Sequence, residues 1–516
     1  MHLTLWDLAV IIAYMGLLSG IGFHFSRRQK SRDEYFLGSR QMNWILVGGS
    51  IMATLVSTIT YLNTTGEMIR YGIGYFANLL VVPLIVPVVN RVIIPVFARM
   101  PITSAYEYLE KRFDGGTRSL ASVIFVFRSL IWGGLIIYTA SFAVAEMTGW
   151  GIYVTILLMG VSTTVYTTAG GLRTVIWTDN IQLWILFGGA LAIPVFVGFA
   201  IGTGPAGWWE VFSQAGHAQI RTFSWDPTVR VTAIGSMLSY FLWNVCTQGS
   251  DQVAVQRYLS TPTLEAARKS VWMYAFFKFM LTACLLVCGL ALFAYYADRS
   301  GLPVQQFQQQ IAPRADKVMP QFIVQVLPPG VSGLLLAALL AAAMSSLSSA
   351  INSISSVVSS DFLGRLRPKA STDALGLEKL VSLAAGVIAV TAGLGIAAAL
   401  HHVDWNLVEL SNRVNTVFVG PMGVFFFAGI LLRRVGTKAV IAGFLVGAFM
   451  SIFSSFGKEL FGLEKSISFM WVVPSGFVFG MAAAFAASYV FRPPAEERIR
   501  SLTMAGVVAD AKGDRQ

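Results

Sequence analysis

Residues 272–295 read WMYAFFKFMLTACLLVCGLALFAY. The stretch holds one charge, Lys278, and lacks the alternation of apolar stripe and polar face that marks a helix on the surface of a soluble protein. It exceeds the ~20 residues a helix needs to cross a bilayer. Comparable runs lie at 6–25, 80–97, 154–168, 181–201 and 470–490. These runs set the fold class as an all-α integral membrane protein.

The composition agrees. The chain has 516 residues, 55% hydrophobic and 12% charged, with mean hydropathy +0.66. Soluble domains carry about 25% charged residues. The net charge of +11 does not read as a nucleic-acid surface, because the basic residues sit in short loops between apolar runs. Cys246, Cys284 and Cys288 lie in apolar or near-apolar surroundings and form neither a disulfide framework nor a zinc pattern. The first apolar run is long enough to be retained as a helix, and no small-residue cleavage site follows a basic start.

About thirteen spans follow: 6–25, 43–70, 75–98, 119–148, 152–170, 179–203, 229–250, 271–296, 317–360, 377–401, 406–432, 438–457 and 468–491. The stretch 317–360 is too long for one crossing and divides into a short amphipathic segment and a helix from about Gly333. Alternate loops are rich in positive charge: Arg27, Arg28, Lys30 and Arg32; Arg99, Lys111 and Arg112; Arg257, Arg268 and Lys269; Arg365, Arg367 and Lys369; Arg433, Arg434 and Lys438; Arg492, Arg498 and Arg500. The positive-inside rule places these in the cytoplasm, with the N-terminus outside and the C-terminus inside. Residues 1–492 then form one transmembrane domain, and 493–516 a disordered cytoplasmic tail. The localisation expected is a bacterial-type inner membrane.

Polar groups at membrane depth mark packing or function. Ser50 to Thr65, SIMATLVSTITYLNTT, is dense in hydroxyls. Hydroxyls offer the backbone alternatives to helical bonding, and a broken helix would free carbonyls that suit a hard cation such as sodium. Interhelical hydrogen bonding accounts for them as well. In Ala341 to Ser353, AAAMSSLSSAINS, Ser345, Ser348 and Ser349 share a face, which fits an ion site or close packing of small residues. The two segments together favour the ion site. Glu67, Arg128, Asp179, Lys278 and Arg413 are isolated charges in apolar context. Asp179 reads as a helix-opening acid, and Lys278 as a snorkelling side chain. Arg413, between Asn412 and Asn415, could cap a helix, pair with an acid or meet an anionic solute. His2, His24, His217, His401 and His402 make no metal-ligand spacing, and no catalytic constellation is present, so the chain does not read as an enzyme.

Several stretches together resemble the sodium/solute symporter family, closest in appearance to bacterial sialic acid and sugar types: DEYFLGSRQMNWILVGGS (33–50), ITSAYEYLEKRFD (102–114), VYTTAGGLRTVIWTDNIQ (165–182), SDQVAVQRYLS (250–260), AAAMSSLSSAINSISSVVSSDF (341–362) and VGPMGVFFFAGILLRR (419–434). The resemblance implies a leucine-transporter-like architecture. Two inverted five-helix repeats, about 43–203 and 229–432, are preceded by one helix and followed by two. It implies Na⁺ as coupling ion, with a first site on the carbonyls of Ala53, Val56 and Ala342 and the hydroxyls of Ser345 and Ser346. It also implies a second site at Asp179, Ser348 and Ser349.

For the solute, Ser57 and Thr60 match substrate-facing hydroxyls of the sialic acid type. Trp132 stands where that type has its carboxylate-binding arginine, Tyr75 replaces a glutamine, and Leu55 replaces a threonine. Arg413 falls where sugar transporters place a substrate-contacting glutamine. Two solute classes stay open: an acidic solute held by Arg413, or a neutral sugar stacked on Trp132 and Tyr75. The expected activity is import of a small organic solute with sodium by alternating access, without nucleic acid or an obligatory protein partner. The rivals are an amino-acid transporter of the same architecture from another family, coupled to protons or sodium, and a transporter-like membrane sensor. The chain's end soon after its last span leaves no room for a kinase.

Overall fold

The computed structural model describes residues 4–27, 29, 31–366, 374–400, 413 and 415–506. Arg28, Lys30, Arg367, Lys369, His2, the His401–His402 pair and Asn412 lie outside them. All regular structure among the described residues is helical. The main helices are α1 (Leu5–Ser26), α2 (Trp44–Leu55), α3 (Thr58–Tyr71), α4 (Ile73–Phe97), α5 (Gly115–Thr148), α6 (Ile152–Ile201), α7 (Ala233–Ser250) and α8 (Gln252–Leu259). After them come α9 (Leu264–Ser300), α10 (Ala315–Gln325), α11 (Val331–Val357), α12 (Ala374–Leu400), α13 (Val419–Leu431), α14 (Thr437–Phe461) and α15 (Val472–Val490). Among the described residues nine helices are long and apolar enough to cross a membrane, or ten with the bent pair α2–α3.

The core is organised around α11. Of its apolar window 94% is buried, against 22–56% for the other crossing helices. Small residues allow this. Ala337, Ala338, Ala341, Ala342 and Ala343 are all buried, so neighbouring backbones come close on several sides. Two expectations merge in α6, which runs through both 152–170 and nearly all of 179–203, ending at Ile201. Gly171 bends it with φ 56° and ψ −160°. A Cβ at this position would stand 2.6 Å from the Tyr35 carbonyl oxygen, so only glycine fits the bend. Asp179 therefore lies within α6 and does not open a helix; the kink eight residues earlier supplies the break that the sequence places there.

Two helices are interrupted inside the protein. The chain bends by 62° between α2 and α3, where Val56 is extended (φ −107°, ψ 109°). Ser57 restarts the helix by accepting from the Thr60 N–H at 3.4 Å. The second break is at Asp251, extended at φ −92°, ψ 121°, whose Oδ1 accepts from the Val253 N–H at 3.0 Å to begin α8. The stretch 250–260, expected as a loop, is thus largely a helix, and every residue of α8 is buried.

The long stretch 317–360 divides as expected, into α10 and α11, with α11 starting at Val331. The tail departs from expectation. Glu496–Ile499 is a helix, Ile499 and Leu502 are buried, and Tyr108 donates to the Leu502 carbonyl at 3.2 Å. Apolar side chains after Pro493 give this segment something to bury, which its overall polarity conceals. Residues 507–516 lie outside the described residues.

Candidate functional site: a hydroxyl-lined helix break above a charged cavity

The last carbonyls of a helix lack intrahelical partners, and within a membrane protein they must find others. At the end of α2 the serines of α11 supply them. Ser345 Oγ donates to the Ala53 carbonyl at 2.9 Å and lies 3.1 Å from the Ala342 carbonyl. Ser346 Oγ donates to the Thr54 carbonyl at 2.8 Å and lies 3.2 Å from the same Ala342 oxygen. Thr58 Oγ1 donates to the Leu339 carbonyl at 2.7 Å, tying the start of α3 to α11 as well. The expected residues Ala53, Ala342, Ser345 and Ser346 thus converge, and Thr54 joins them. Val56 is the extended residue of the break, and no hydrogen bond links its carbonyl to this cluster among the described residues. Neutral carbonyl and hydroxyl oxygens are the donor set a hard monovalent cation takes.

The second expected set is arranged differently. Asp179 Oδ2 accepts from Ser50 Oγ at 2.6 Å and Thr54 Oγ1 at 3.2 Å, and lies 3.1 Å from Arg257 Nη2. The guanidinium also donates to Ser50 Oγ at 2.7 Å, Thr54 Oγ1 at 2.7 Å, the Val253 carbonyl at 2.6 Å and Ser349 Oγ. Ser348 Oγ donates to the Ser345 carbonyl at 3.0 Å. Asp179 and Ser349 are therefore brought together through Arg257. The sequence had placed Arg257 among the cytoplasmic loop charges, but it is fully buried. Burial of α8 draws it inside, and Asp179 neutralises it there.

A cavity of about 560 Å³ adjoins the break. Ser57, Thr60, Tyr75, Trp132 and Arg413, the expected substrate residues, all line it, and so does Ser346. Asp316, Arg230 and Phe469 line it too. In the segment before α7, Asp226 accepts from the Thr228 N–H at 2.9 Å and hydroxyl at 2.7 Å, which holds its carboxyl below the usual carboxylate range.

Most charges around the cavity are paired. Arg230 grips Glu67 through two bonds, 2.6 and 2.9 Å, and stacks over Tyr71 with 3.8 Å to the ring centroid. Arg70 meets Asp316 at 3.1 Å, Arg413 meets Glu459 at 2.8 Å, and Arg128 pairs with Asp251. Arg413, expected to serve the solute, thus carries an acidic partner of its own. Lys278 differs. It lines the cavity, is 6% exposed and has no acid within ion-pair distance among the described residues. The ring of Tyr240 lies 5.6 Å away. Instead of snorkelling to an interface, its ammonium faces the cavity. The one signal for this in the sequence was its place inside an otherwise uncharged span, two turns from its start.

The sequence profile described as "Sodium:solute symporter family" matches residues 35–447. The chain belongs to the sodium:solute symporter family. It is similar to the sodium/sialic acid symporter SiaT of Proteus mirabilis, 30% identical over 478 residues, covering 91% of this chain and 93% of that one. It is also similar to human sodium-coupled monocarboxylate transporter 2, 27% identical over 487 residues, covering 92% and 75%. A solved sodium-coupled sialic acid symporter in a substrate-bound outward-open state superposes with TM-score 0.84 at 28% identity, covering 95% of this chain and 99% of that one. Sodium is the coupling ion of this symporter, and the protein is a multi-pass membrane transporter, not an enzyme. Family membership sets aside the rival transporter family of like architecture.

Proposed function

We propose that this symporter imports a small carboxylate-bearing solute with sodium, and that Lys278 is the residue that meets its negative charge. The observation carrying this reading is the unpaired ammonium on the cavity wall. A buried cation without an acid is costly unless a ligand supplies one. The relatives named for sialic acid and for monocarboxylates share an acidic solute, which supports the same class. Trp132, Tyr75 and Trp243 also line the cavity and favour a second reading, a neutral sugar stacked on aromatic faces.

The coupling follows from the first break. A sodium ion at Ala53, Val56, Ala342, Ser345 and Ser346 would bridge the end of α2 to α11, beside a cavity that Ser346 also lines. Ion binding then favours the arrangement in which the solute site is complete, and by linkage the solute favours the ion. The breaks at Val56–Ser57 and Asp251 fall in the opening helix of each proposed inverted repeat, 43–203 and 229–432. That correspondence supports about thirteen crossings with a 5+5 core and rocking of one half against the other. The loop charges support an N-terminus outside, and the bacterial relative supports residence in a bacterial plasma membrane.

Uptake into proteoliposomes tests the reading. With inward sodium, sialic acid or lactate should accumulate, and potassium should not replace sodium. Lys278→Met should raise KM for the acid about tenfold or more, the scale of one lost charge-assisted hydrogen bond. Uptake of neutral N-acetylmannosamine, if any, should be unchanged. Acid uptake unaffected by Lys278→Met would overturn the assignment.

A further inference from the structure

The Arg128–Asp251 pair is a partition. Both residues line the 560 Å³ cavity, and both also line a separate void of about 10 Å³ among Tyr106, Phe125, Ser250 and Met422. The pair is thus common to the two spaces. Its partners come from different elements: Arg128 from the middle of α5, and Asp251 from the break between α7 and α8.

Asp251 divides its oxygens. Oδ1 accepts from the Val253 N–H and starts α8, while Oδ2 takes Arg128. Arg128 is only partly used. A guanidinium offers five N–H donors, and among the described residues only Nη2 of Arg128 bonds to protein. The side chain is 12% exposed and lines the cavity, so its remaining donors are open to whatever enters. The planar fork suits a carboxylate better than it suits a hydroxyl. A carboxylate that reached it would place two like charges, its own and that of Asp251, on one cation, weakening the older contact. The extended Asp251 is at once the C-cap of α7 and the N-cap of α8, which gives α8 a place to pivot.

We propose that Arg128 is a second reader of the solute's negative charge, on the same cavity as Lys278, with Asp251 as its built-in competitor. An anion that reaches Arg128 then loosens the partition between the cavity and the smaller void. This inference rests on the acidic-solute reading above. It makes Arg128 a specificity-determining residue and Asp251 the group that links specificity to opening.

Asp251→Asn tests it cleanly, because asparagine still accepts the Val253 N–H as a helix cap while its charge is gone. Binding of sialic acid, lactate and neutral N-acetylmannosamine to the purified full-length protein would be titrated by calorimetry in saturating sodium. The variant should bind the acids about tenfold more tightly, the order expected when a buried competing charge is removed, yet accumulate less in proteoliposomes. Affinity for the neutral sugar should not move. Adding Arg128→Met to Asp251→Asn should abolish the gain. Unchanged or weaker acid binding by a folded Asp251→Asn protein, with the parent binding acid normally, would overturn the inference and leave the acidic-solute reading standing. A parent that binds the neutral sugar but neither acid would overturn both. Should Asp251→Asn not fold, the exchange Arg128→Asp with Asp251→Arg keeps an ion pair. Acid affinity unaltered by that exchange would also overturn the proposal, and a loss of about tenfold would support it.

Discussion

Arg257 Nη2 lies 3.1 Å from Asp179 Oδ2, and neither residue is exposed. Removing one partner of a buried pair leaves an uncompensated charge, at a cost of about 3–5 kcal/mol. Arg257→Gln should therefore lower the melting temperature in potassium. It also frees Asp179 and Ser349, so sodium should recover more of the lost stability than it adds to the parent. Thermal unfolding across a sodium titration measures both. Equal sodium dependence in parent and variant would show that no cation takes the place of the guanidinium.

Ser345 and Ser346 share the Ala342 carbonyl but hold different carbonyls of α2. Ser345→Ala and Ser346→Ala should each raise the sodium concentration for half-maximal uptake on the order of tenfold, equivalent to about 1.4 kcal/mol. Maximal uptake at saturating sodium should fall less. A sodium titration of initial uptake rates decides the matter, and an unmoved midpoint in both variants would displace the site.

Arg413 and Lys278 line one cavity with different company. Because Arg413 already meets Glu459 at 2.8 Å, Arg413→Gln should change KM for an acid less than Lys278→Met does. Parallel kinetics of the two variants check the order. A larger effect at Arg413 would return the anion contact to the residue singled out by its sequence position.

Gly171 holds φ 56° and ψ −160° against the Tyr35 carbonyl. Gly171→Ala combines backbone strain of about 1–3 kcal/mol with a steric clash. The expected result is a lower melting temperature and reduced yield of folded protein, with sodium affinity intact in what folds. Fluorescence-detected size exclusion on heated samples would measure it.

The apolar runs made the membrane fold legible, and the hydroxyls of 50–65 and 341–353 pointed to the break and to the helix that answers it. What escaped the sequence depends on partners far along the chain. Arg257 looked like a loop charge because nothing local reveals that α8 is buried or that Asp179, 78 positions away, waits for it. Lys278 looked like a snorkelling residue because the same pattern serves a lipid face and a cavity wall. Which one applies depends on the rotation of α9 against α2, α3 and α6, visible only in the packed helices. Gly171 was quoted within a motif, yet its positive φ follows from the approach of Tyr35, a tertiary contact.

The burial of α11 carries a consequence for how the transporter senses its lipid. Changes in bilayer thickness act on helices that touch acyl chains, such as α1, and are accommodated there by tilt. With 94% of its apolar window covered by protein, α11 is insulated from that stress. Shorter or longer lipids should alter the rate of transport while leaving the affinity for sodium nearly constant.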